Sequence, residues 1–74
     1  MTERAHVDGV FAGTVVAFDA AVGLGQVQGA DGVRFEFHCI ELADGTRTIQ
    51  PGTAVTFGLL AKLGCYEAAR ITRA

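Results

Sequence analysis

Glu36, His38 and Cys39 are the residues whose types and spacing come nearest to chemistry. Imidazole, thiolate and carboxylate are all zinc ligands. In an extended strand, however, residues 36 and 38 share a face while residue 39 points the other way. No further ligand is spaced to complete a coordination sphere, so no metal site is expected. Glu36 and His38 as an acid–base pair lack a serine or second carboxylate placed to assist, so no catalytic site is expected. Gly23-Leu24-Gly25-Gln26-Val27-Gln28-Gly29 invites a phosphate-loop reading. Its spacing is G-x-G-x-x-x-G, one residue longer than the dinucleotide fingerprint, and it opens no helix. Glycines easing a curved hairpin strand explain it better. Cys39 and Cys65 are too few for a disulfide scaffold and are expected as reduced thiols.

The elements that carry these residues are short. Val10–Phe18 is rich in Val and Phe, and Leu24–Gln28 partly alternates. Val33–Phe37 alternates clearly, with Val33, Phe35 and Phe37 on one face and Arg34, Glu36 and His38 on the other. Ala54–Leu60 lines up Val55, Phe57 and Leu59, and Tyr66–Thr72 offers Ala69 and Ile71. Period two over short runs is the signature of half-buried strands. No window of about eleven residues holds a helical apolar stripe with start and stop signals. Gly29-Ala30-Asp31-Gly32 and Lys62-Leu63-Gly64 provide turns, and residues 42–53 form one longer connection. Five strands in a chain of 74 residues point to a closed barrel, since closure removes exposed edges. Phe35, Phe37, Val55, Phe57 and Ile71 are the expected core. Residues 1–12 have no clear pattern and are expected to be an N-terminal extension to a domain over 13–74.

Composition narrows the class. Half of the chain is apolar and 19% is charged, which excludes disorder. The net charge is −2, so charge alone cannot drive non-specific binding to nucleic acid. No apolar run approaches the roughly 20 residues of a membrane-spanning helix, and the first eight residues hold no apolar signal core. A soluble, reducing, cytoplasmic setting without membrane contact is expected. A two-lobed enzyme does not fit in this length.

The ordered fragments resemble the bacterial cold-shock proteins, from about Gly13 to Arg73. Gly13-Thr14-Val15-Val16-Ala17-Phe18-Asp19 is similar to the family's opening Gly-Thr-Val-Lys-Trp-Phe-Asn. Gly23-Leu24-Gly25-Gln26-Val27 occupies the first ribonucleoprotein motif, usually Gly-Phe-Gly-Phe-Ile. Phe35-Glu36-Phe37-His38-Cys39 occupies the second, usually Val-Phe-Val-His-Phe. Asp44-Gly45-Thr46-Arg47-Thr48-Ile49 resembles a family loop, and Gly52, Val55, Phe57 and Ala68-Ala69-Arg70-Ile71 resemble the last two strands. The resemblance implies an all-β, five-stranded antiparallel barrel of the oligonucleotide-binding (OB) class. It also implies single-stranded RNA or DNA as ligand, with no cofactor.

The departures are concentrated on the surface that would bind. The family's Trp site is Ala17, and its platform Phe sites are Leu24, Gln26, Glu36, Cys39 and, in the loop, Thr46. Its two flanking lysines are Val16 and Val22. Stacking a base on an aromatic side chain is worth roughly 1–3 kcal/mol, so losing several such sites weakens binding severely. What remains for nucleic acid is Phe18 and His38, with Arg34 and Arg47 nearby. The alternative is a protein-interaction or homodimer surface. Val16, Ala17, Val22 and Leu24 would form an apolar patch of that kind, unless Val7, Val10 and Phe11 of the N-terminal segment cover it.

Overall fold

The computed structural model describes residues 6–62 and 64–74, with side chains from Gly9 onward. Five strands, β1 (His6–Asp19), β2 (Leu24–Gly29), β3 (Arg34–His38), β4 (Ala54–Lys62) and β5 (Cys65–Arg73), close into a barrel in the order β1-β2-β3-β5-β4. A single 3-10 turn, Cys39–Glu41, follows β3. This is the five-stranded closed barrel that the alternating segments lead one to expect, and it is consistent with the OB class that the resemblance implies. Not every pairing is antiparallel, however. β3 and β5 meet in parallel at Glu36 and Glu67, where the long connection returns the chain to close the barrel.

Closure depends on β1 serving two neighbours. Its C-terminal half pairs with β2 and its N-terminal half with β4, and Gly13 belongs to both ladders, opposite Gly29 and Val55. A Cβ at Gly13 would sit 2.5 Å from the Gln28 carbonyl oxygen and 2.9 Å from the Phe57 ring. Only glycine lets the strand bend that closely over its neighbour. Two register shifts, between Val7 and Phe11 and between Val15 and Ala17, let β1 change direction. Residues 6–12 therefore belong to the barrel. Read as an extension for want of periodicity, they form half of β1, and the shift between Val7 and Phe11 is what breaks the alternation.

Inside, residues stack in layers across β1, β2 and β3. Val15 faces Val27, which faces Phe35, and Phe18 faces Gly25, which faces Phe37. Phe37, Phe57, Val55 and Ile71 are fully buried with Val15 and Val27, while Phe35 is half-buried against them. Val33, expected on the inward face, lies before β3 and is 48% exposed. In β5 an extra residue opposite Thr56–Gly58, beside Arg70 with its left-handed backbone (φ 51°), breaks the alternation, so Ala68, Ala69 and Ile71 are all buried. In β4 Leu59 packs half-buried against the core as expected, and Leu60 is buried as well.

The long connection is packed rather than loose. Ile49 is buried in the core, and the Arg73 guanidinium donates to the Asp44 carboxylate (2.7 Å) and the Thr48 carbonyl (2.9 Å).

Phe57→Ala is expected to cost about 3–5 kcal/mol, a large part of the roughly 5–15 kcal/mol that holds a domain together. Gly25→Ala should also destabilise, because its Cβ would enter the Phe37 ring and lie 2.9 Å from the Ala17 carbonyl oxygen. Urea titration checks both; a wild-type midpoint for Gly25→Ala would contradict this packing.

Candidate nucleic-acid interface

The outer surface of β1–β3 is set by the register shift at Val16. Strict alternation from the inward Val15 would turn Ala17 in and Phe18 out. The extra residue reverses this: Ala17 and Asp19 face out, and Phe18 turns in. The Phe18 ring stacks on Phe37 at 6.0 Å between centroids and 13° between planes, and it is half-buried. Phe18 is therefore chiefly a core residue with one edge at the rim of a shallow cleft that also holds Ala17, Leu24, Gln26 and Glu36. The sequence, with no sign of the bulge, places it among the binding residues.

Three cross-strand rows make up the outward face. Thr14, Gln28 and Arg34 form the first, Ala17, Gln26 and Glu36 the second, and Asp19, Leu24 and His38 the third. Arg34 and His38 are thus on one face, as alternation in β3 requires, with Glu36 between them. The Arg34 Nε donates to the Gln28 Oε1 at 3.0 Å, which holds the guanidinium over β2. Gln26 and Gln28 are polar members of this surface that the motif comparison passed over. The signal for them was the alternation of Leu24, Gln26 and Gln28 against Gly25 and Val27.

No Phe ring stands on these rows. Asp19 and Glu36 set two carboxylates against the single guanidinium of Arg34. The face therefore offers hydrogen-bonding groups and neither an aromatic platform nor a cationic track. At the closing pair, Glu36 lies beside Glu67, whose carboxylate accepts from Lys62 Nζ at 3.1 Å. That contact offsets the like-charge repulsion across the seam.

Arg47 is elsewhere. It lies exposed in the 42–53 connection with a left-handed backbone (φ 62°), and no hydrogen bond draws it to Arg34 or His38. The apolar patch is also divided. Val16 is half-buried in the bulge and lines a cleft with Thr14, Gln28 and Gly29. Ala17 and Leu24 line the cleft beside Phe18. Val22 is 62% exposed in the turn between β1 and β2, and Leu24 is 42% exposed. Phe11 does not cover them, since its ring lies against Phe57, 6.0 Å between centroids. Val10 is 75% exposed, and the side chain of Val7 is outside the described residues.

Among the described residues no three His, Cys, Asp or Glu side chains gather as metal ligands. Cys39 and Cys65 are free. No protein-family model matches the chain, and no curated protein matches it.

The connection carrying Arg47 is sensitive to acid. The Thr46 backbone N–H and the Arg73 guanidinium hold the Asp44 carboxyl at about 2, below its ordinary 3.8. A lowered folded pKa contributes stability that is present above pH 3.8 and fades as pH falls toward 2. Asp44→Asn keeps an acceptor for Thr46 but cannot titrate, so the loss of stability between those values should be shallower in this variant. Urea midpoints across the acid range check this; parallel curves for the two proteins would contradict it.

Proposed function

We propose that this chain is a divergent cold-shock-like barrel that binds single-stranded RNA or DNA weakly, through hydrogen bonds in place of a stacking platform. The observation that carries the reading is the arrangement of Gln26, Gln28, Arg34 and His38 on adjacent outward rows of β2 and β3. This is the face on which the resemblance puts the ligand. Amides and a guanidinium bond to base edges and phosphate oxygens, and a guanidinium plane also accepts a stacked base. With one guanidinium and two carboxylates on the rows, the electrostatic contribution is small. Phe18 adds only the edge it presents beside Ala17 and Leu24. No catalytic role is proposed for any residue, and the reading requires no cofactor.

A second reading is favoured by Val22 and Leu24, both exposed on one end of this face. An apolar pair beside a polar surface suits a protein contact or a second copy of the chain. Val22→Lys with Leu24→Glu would abolish such a contact without unfolding the barrel, and sedimentation of the wild type at high concentration tests for the homodimer.

Titration with labelled oligo-dT and oligo-U tests the first reading. The expected dissociation constant is about 10 μM or weaker, equivalent to roughly 7 kcal/mol. Arg34→Ala should weaken binding further, and aromatic residues at Ala17, Gln26 and Glu36 should strengthen it by restoring stacking. Submicromolar binding at 0.15 M salt, an ordinary physiological ionic strength, would contradict the weak polar mode. No binding at low salt would favour the protein contact.

A further inference from the structure

A groove of about 390 Å³ opens at the end of the barrel by the β2–β3 turn, and it shares no residue with the outward rows. Its floor is aromatic. Phe57 lies between Phe11 and Phe35, each 6.0 Å away between ring centroids and tilted by 34° and 53°. Phe57 is buried, Phe35 is half-buried, and Phe11 leaves 38% of its surface open. The register shift in β1 and the left-handed Gly9 (φ 110°) accompany this placement, with Val10 turned outward beside it. Across the opening stands the turn of Ala30 and Asp31.

Asp31 is the only charged residue lining the groove among the described residues. Its Oδ1 accepts from the Val33 N–H at 3.1 Å, and Oδ2 has no partner among the described residues. Apolar rings on one side and a carboxylate on the rim complement a molecule with an apolar body and a cationic head. The rings favour that head through their quadrupoles and the carboxylate through its charge. The size suits a small molecule, near the lower end of the roughly 300–1,000 Å³ of ligand pockets. A stable protein interface needs about 20–30 residues a side, and nine of the described residues line this groove.

We propose that the groove of Phe11, Phe35, Leu59 and Asp31 is a binding site for a small arylalkyl-ammonium compound. The aryl group lies against Phe11 and Leu59, and the ammonium donates to the Asp31 carboxylate. The site is independent of nucleic-acid binding, so either can fail without the other.

The test is titration of the ¹⁵N-labelled chain with phenethylammonium and, separately, with 3-phenylpropionate, a similarly sized carboxylate. Phenethylammonium should shift the amides of residues 10–12, 29–31 and 59 and bind at least about fivefold more tightly than the carboxylate, the ratio of about 1 kcal/mol. Asp31→Asn keeps the acceptor for Val33 and should reduce that preference to below about twofold. Phe11→Leu should weaken both compounds while the other amides remain folded. Absence of shifts at the groove, equal affinity for the two compounds, or an unchanged preference in Asp31→Asn would each overturn the proposal.

Discussion

The barrel depends on the close approach of backbone to backbone at Gly13, where β1 crosses from one neighbour to the other. A single strand that pairs with β2 and β4 must bend sharply, and a side chain at the bend would strike the Gln28 carbonyl and the Phe57 ring. Gly25 provides the second such gap, beneath the ring of Phe37. With these two spaces left open, Phe57 and Phe37 fill the interior, and burying each large aromatic supplies a major share of the hydrophobic driving force. The consequence for function is direct. Phe18, Phe35, Phe37 and Phe57 are all used to build or line the core, and the outward rows of β1–β3 are left mostly to polar groups.

How far the sequence could be read differs between inside and outside. The inward positions of β3 were legible because Phe35 and Phe37 alternate with charged residues. The turn at Gly29–Gly32 was legible because Gly32 takes a left-handed conformation (φ 89°). β1 was only half legible. Its two register shifts place residues off the strict period of two, so residues 6–12 looked patternless and Phe18 looked available to a ligand. The parallel contact of β3 with β5 was not legible at all, since it joins segments that are remote in the chain and is fixed by how the barrel closes. Of the candidate site, Arg34 and His38 were correctly placed on one face by simple alternation. Arg47 sits in the 42–53 connection and belongs to no strand, so alternation could not place it.

The outward face of β1–β3 carries mostly polar side chains on a closely packed scaffold. Leu24, Gln26 and Glu36 stand at positions whose backbone geometry is imposed by the layers beneath, Gly25 with Phe37 and Val27 with Phe35. Their side chains are free to vary, because each faces solvent and contributes little to packing. A polar surface on this frame offers directional hydrogen bonding rather than sequence-tolerant stacking. Directional bonds in water are worth less net, which is why the proposed binding is weak. The same frame offers a second concavity where Phe11 remains open, so the two proposed sites lie at separate places on the barrel.

The central claim is that single strands meet this barrel on the outward rows of β2 and β3 through polar contacts. The most direct measurement is amide chemical-shift mapping of the ¹⁵N-labelled chain with a short oligo-U at low salt. Shifts confined to Gln26, Gln28, Arg34, His38 and their neighbours, moving continuously as expected of fast exchange, are the predicted result. A slowly exchanging complex, or shifts centred on β4 and the 42–53 connection with those four residues unmoved, would contradict it.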